Sequence, residues 1–263
     1  LFILPLDWGV AGAAWATVIA QAVSAFSLMI YTYGRVPELR IRRSDMHFSR
    51  DIAGEIASFS LLTCVQQSVM NLGILMVQGL VNSFGTVVMA AFTVAVKIDT
   101  LAYMPAQDFG NAFSTFIAQN FGAKRFDRIR HGIRSGAWTT FLFCAVVSVA
   151  VFMFAEQLMM CFVDAGETEL IRTGAGYLRI EGAFYVGIGC LFLLYGYYRA
   201  IKRPGMSVVL TVISLGTRVV LAYLLAAVPS IGVVGIWWAI PIGWFLADAV
   251  GILCLNRLKP VGS

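Results

Sequence analysis

The chain is 263 residues long, 59% of them apolar and only 13% charged, with 19 basic residues against 14 acidic. A soluble domain carries roughly a quarter charged residues, so half that share, with a mean hydropathy of +0.82, excludes an ordinary cytosolic enzyme and places the chain in a membrane. The net charge of +5 then reads as topology, basic loops facing anionic lipid, and not as a nucleic-acid surface.

Crossing a bilayer as a helix takes about 20 apolar residues. In chain order, the stretches that qualify run from Val10 to Tyr33, Glu55 to Val81, Val87 to Gln119, Trp138 to Val163, Leu170 to Tyr198, Met206 to Val228 and Val233 to Leu255. Their apolar runs are continuous and do not alternate, so they predict helices and not strands of an outer-membrane barrel. Charge between them alternates. Arg35, Arg40, Arg42, Arg43 and Arg50 follow the first span, and Lys124, Arg125, Arg128, Arg130 and Arg134 follow the third. Arg199, Lys202 and Arg203 follow the fifth, and Arg257 and Lys259 lie in the tail. The opposite loops hold Asp7, Asp164, Glu167 and Glu169. Fifteen of nineteen basic residues thus share one side, which the positive-inside rule makes cytoplasmic, with the C-terminus. The expected location is the cytoplasmic (inner) membrane, in multi-pass form. The basic segment from Arg35 to Ser49 reads as a solvated linker between two bundles.

Cys64, Cys144, Cys161, Cys190 and Cys254 sit in apolar runs with no CxxC spacing and read as small hydrophobes. His47 and His131 are expected in polar loops, which leaves no imidazole for a metal site inside the membrane. No cofactor is expected, and no Walker A or GxGxxG motif is present. Any transport would draw its energy from an ion gradient or from the substrate itself.

Residues 9–17, GVAGAAWAT, resemble residues 232–240, GVVGIWWAI, at an offset of 223, and each stretch opens a span. This repeat makes the first span the last helix of one unit and the final six spans a second unit of the same orientation. The expected fold is all-α and integral to the membrane. Its seven transmembrane helices form one six-helix lobe of a twelve-helix, two-lobe transporter plus one helix of the other lobe. The boundaries are residues 1–34 for that lone helix, 35–54 for a cytoplasmic linker and 55–263 for the C-terminal lobe. The chain begins at Leu1 without an initiator Met or a signal-like n-region, which reads as part of a longer protein lacking most of its N-terminal lobe.

Ionisable residues at membrane depth are functional candidates by default. In the third span, Thr93, Lys97, Thr100, Gln107, Asn111 and Ser114 form a polar stripe with Asp108 at its edge, while Asp99 lies about 200° from Lys97 on the helical wheel. Pro105 is positioned to kink that helix. In the second span Ser60, Thr63, Gln67, Asn71, Gln78 and Asn82 share a face, with Gln66 adjacent. Two such stripes read as the wall of a wet cavity in preference to interhelical hydrogen bonding. Glu181 and Tyr185 lie in the fifth span, and Arg218 in the sixth is a counter-charge for Asp99, Glu181 or Asp248. Arg179 is expected to snorkel, Asp248 to be structural, and Tyr195, Tyr197, Tyr198, Trp237 and Trp238 to form interfacial belts. The candidate substrate and cation cavity is therefore Lys97, Asp99, Asp108, Gln66, Gln67, Asn71, Asn111, Glu181, Tyr185 and Arg218, with no catalytic or metal residues.

Residues 90–129, AAFTVAVKIDTLAYMPAQDFGNAFSTFIAQNFGAKRFDRI, resemble the second helix of the C-terminal lobe in the multidrug and toxic compound extrusion (MATE) family. The resemblance rests on Lys-Ile-Asp, Met-Pro-Ala and the helix-ending Gln119, Asn120, Gly122 and Ala123, and extends to Gly-Val-x-Gly and Gly-Tyr-Leu-Arg-Ile. It implies an antiporter exchanging Na+ or H+ for cationic or amphipathic small-molecule drugs. One branch of the family carries a coupling carboxylate in the first helix of the C-lobe and an Asp in the fourth. Here those regions offer Gln66 and Gln67, and Val186, Gly187 and Ile188. The departure favours the DinF-like, DNA-damage-inducible branch, with its coupling Asp in the N-lobe. The alternatives are a flippase for lipid-linked oligosaccharides, whose basic cavity the balance of Lys97, Arg179 and Arg218 against Asp99, Asp108, Glu181 and Asp248 does not match, an intramembrane enzyme, and a receptor.

Overall fold

A computed structural model describes residues 8–37 and 49–257, without the side chains of Ala13, Glu55, Asn256 and Arg257. Within these residues the secondary structure is helical: α1 (Gly9–Arg35), α2 (Arg50–Asn82), α3 (Thr86–Gly122), α4 (Phe126–Met153), α5 (Ala155–Met160), α6 (Thr168–Gly182), α7 (Tyr185–Ala200), α8 (Pro204–Ala226) and α9 (Val233–Arg257). Six helices are long and apolar enough to cross a membrane, seven if α6 and α7 form one bent span. Helices satisfy every backbone group internally, which lipid demands. Asp7, Arg40, Arg42, Arg43, His47 and Lys259, and with them most of the expected linker, lie outside the described residues.

Contacts divide the chain after Glu55. In the first unit, α1 is one apolar helix whose large side chains, such as Phe26 and Ile30, are exposed. The second unit is a helical lobe with α7 at its centre, packed against α3, α4, α8 and α9, while α3 also meets α6 and α8 meets α9. Lipid supplies little hydrophobic drive between helices, so close approach through small residues matters. At the α3–α7 crossing a Cβ on Gly196 would lie 2.6 Å from the Gly110 carbonyl oxygen, and at the α8–α9 crossing one on Gly243 would collide with the Ser214 carbonyl.

Both basic turns end their helices alike. Lys124 and Lys202 take left-handed backbone conformations (φ 54° and 59°). The amides of Arg125 and Arg203 then bond the carbonyls of Asn120 and Tyr198 at 2.8 and 2.9 Å. This is a Schellman-type stop with a cation at the negative end of the helix dipole.

The structure moves several expected boundaries and placements. The fourth span begins at Phe126, twelve residues before Trp138, because its basic first turns are also helical, and His131 lies in that helix and not in a loop. That span breaks at Phe154, and the fifth breaks between Gly182 and Tyr185 with a 53° bend. The aromatic belt is only partly present. Trp238 is exposed, but Trp237 is 2% exposed, stacked on Phe92 at 5.4 Å and edge-on to Tyr177 at 5.0 Å. Tyr198 is equally buried and donates to the Gly251 carbonyl at 2.7 Å. These rings fill helix junctions because aromatic faces and edges pack efficiently there.

Candidate functional site

The sequence candidates separate into two groups. The first is inside the lobe. Asp99 on α3, Glu181 at the end of α6 and Tyr185 at the start of α7 are 3%, 2% and 1% exposed. At 1.5 Å per residue Asp99 lies about 20 Å along α3 from Thr86, well inside a helix long enough to cross a hydrocarbon layer of about 30 Å. Arg218 on α8 faces both carboxylates, and Tyr103 on α3 faces the same group. The bend between α6 and α7 brings Glu181 and Tyr185 to the cluster from two separate helices.

The cluster is not closed. Asp99 Oδ1, Glu181 Oε2, the Tyr185 hydroxyl and Arg218 Nε are buried without hydrogen-bond partners. Tyr185 is turned toward Asp99 but stops short of hydrogen-bond geometry. Two carboxylates against one guanidinium leave a negative charge uncompensated when both are ionised. Unsatisfied buried polar atoms are rare in native interiors and mark a group held for a reason other than packing.

The second group faces outward from the lobe. Gln67, Asn71, Lys97, Asp108 and Asn111 are exposed, whereas Gln66 is 9% exposed. Lys97 and Asp99 thus occupy opposite sides of α3, as the wheel requires. The hydroxyls of Thr63, Thr93 and Thr100 donate to Phe59, Met89 and Val96 carbonyls of their own helices at 2.9, 2.8 and 2.7 Å, so they do not bond across helices. Gln66, Gln67, Gln107 and Asn111 line a crevice with Met70, Phe192, Tyr195 and Arg199. Arg199 donates to Asn111 Oδ1 at 3.1 Å.

Arg199 and Tyr103 were not among the sequence candidates. Arg199 counted only as a loop charge, and Tyr103 carried no signal beyond lying one turn from Asp99. Arg179 reaches Glu156 on α5 at 2.9 Å, a pair about half exposed on both sides. No group of three His, Cys, Asp or Glu residues able to hold a metal occurs among the described residues.

The family model described as MatE matches residues 61–224, more than half of the chain. The chain belongs to the MatE family. "Probable multidrug resistance protein YoeA" of Bacillus subtilis (strain 168) is 25% identical over 251 residues, covering 94% of this chain and 53% of that protein. "Probable multidrug resistance protein NorM" of Thermotoga maritima is 23% identical over 232 residues, covering 88% and 49%. The chain therefore spans about half the length of the curated relatives it matches. A solved structure described as the outward-facing conformation of a multidrug resistance MATE family transporter of the MOP superfamily is similar in fold. Its TM-score is 0.88 at 24% identity, covering 100% of this chain and 59% of that one. The MatE fold accounts for the all-helical lobe.

Proposed function

We propose that the chain is the C-terminal lobe, with the last helix of the other lobe, of a secondary active transporter that expels cationic or amphipathic small molecules in exchange for Na+ or H+. The observation that carries this reading is the outward-facing polar surface of α2 and α3. Lys97, Asp108, Gln67, Asn71 and Asn111 are exposed on helices whose other exposed side chains, Leu61, Leu72 and Leu101 among them, suit lipid. Polar groups at membrane depth belong on a water-filled cavity and not against acyl chains. The remaining lobe of the same protein would complete that cavity, and the basic turns would face the cytoplasm. The names of the relatives from Bacillus subtilis and Thermotoga maritima support a drug substrate. The Asp99, Glu181, Tyr185 and Arg218 cluster would tune the charge behind the cavity wall. Asp99→Asn in the full-length protein is expected to impair ethidium efflux from cells at unchanged expression. Unchanged efflux would remove Asp99 from the mechanism. Collapsing the sodium and proton gradients separately would identify the coupling ion.

A further inference from the structure

A second buried acid stands apart from the central cluster. Asp248 on α9 is 6% exposed, and its Oδ1 is buried with no hydrogen-bond partner. Its level in the bundle is fixed by Gly251, one turn further along α9, where an added Cβ would meet Leu194 of α7 at 2.7 Å and Leu210 of α8 at 3.3 Å. Asp248 thus sits among α7, α8 and α9, in the half of the lobe away from the aromatic packing of Trp237.

The groups around it can be taken helix by helix. From α7, the Cys190 thiol faces the carboxylate and Tyr195 interacts with it through space. From α8, Ser207 donates its only hydroxyl proton to the Tyr195 carbonyl at 3.3 Å, and Thr211 donates its own to the Ser207 carbonyl at 2.9 Å. Neither hydroxyl proton is left for Asp248. Arg218, the half-buried cation of α8, is directed to Glu181 and Asp99. Among the described residues no basic side chain pairs with Asp248. The Tyr195 hydroxyl is directed to Thr211, so the donor facing Asp248 is a thiol, which is a weak one.

We infer that Asp248 is a proton-binding site of the lobe interior, separate from the Asp99 and Glu181 cluster, with the Cys190 thiol as its partner. An ionised carboxylate at this depth with neither counter-charge nor strong donors is costly. A proton removes the charge in place. A metal cation would demand several converging oxygens, whereas the donor set here is one carboxyl group and a sulfur. One carboxyl oxygen carries the proton, with the Cys190 thiol facing the group. The inference does not depend on the transport reading, since it concerns protonation alone.

Infrared spectroscopy of the full-length protein in liposomes, compared with Asp248→Asn, tests it directly. The expected result is loss of a protonated carboxylic C=O band in the variant at neutral pH, and a shift of that band in Cys190→Ala. Loss of a carboxylate band in its place would show Asp248 ionised and overturn the inference. A carbodiimide that reacts with protonated carboxyl groups gives a second readout. Its adduct on the Asp248 peptide, read by mass spectrometry, should fall about tenfold per pH unit beyond the midpoint. Added Na+ at fixed pH should leave labelling unchanged, and suppression by Na+ would assign the site to the metal cation and overturn the inference.

Discussion

Replacing Gly196 by Ala tests how closely α3 and α7 are packed. The new Cβ would lie 2.6 Å from the Gly110 carbonyl oxygen and 3.4 Å from Ser114 Cβ. A relaxed carbon-to-carbonyl contact is about 3.3–3.6 Å, so the helices must part by about 0.7–1.0 Å at this point. The obstacle is backbone, so no rotamer change relieves it. Overpacking of this kind costs about 1–3 kcal/mol, and the better helix propensity of Ala offsets up to about 1 kcal/mol. The net expectation is a destabilisation of about 1–2 kcal/mol for Gly196→Ala. Gly216 on α8 provides the control, since nothing lies within 4 Å of a Cβ placed there. Gly216→Ala should therefore be neutral or stabilise by up to about 1 kcal/mol. Thermal unfolding of the purified full-length protein in detergent, followed by size-exclusion chromatography with fluorescence detection, measures both. If Gly196→Ala melts at or above the temperature of Gly216→Ala, the close crossing does not carry the packing energy assigned to it.

Arg218→Gln should destabilise the lobe by about 3–5 kcal/mol by leaving Asp99 and Glu181 without their shared counter-charge. The double variant with Asp99→Asn should recover part of that loss in the same melting assay, and no recovery would separate the two residues. Trp237→Ala should cost about 3–5 kcal/mol because it removes the ring packed on both Phe92 and Tyr177. The adjacent, exposed Trp238→Ala should cost much less, and equal melting temperatures would refute the assignment of Trp237 to the core.

The spans and the all-helical class were legible from the sequence because lipid imposes a length and an apolar composition on each crossing segment. The family resemblance was legible for a different reason, since the Lys97 to Ala123 region keeps a recognisable order of residues. The opposition of Lys97 and Asp99 on α3 also followed from helical periodicity alone. Tertiary structure decided what periodicity within one helix does not contain. It directed Arg218 to Asp99 and Glu181, left Asp248 buried without a basic partner, and turned Trp237 and Tyr198 inward where their composition suggested a membrane interface. It also broke the fifth span at Gly182–Tyr185, so that two short helices bring Glu181 and Tyr185 to one cluster. Each of these depends on which helices meet and at what level. Apolar runs of nearly equal hydropathy specify that each helix spans, while the small residues and buried polar groups at their crossings determine which neighbour it meets.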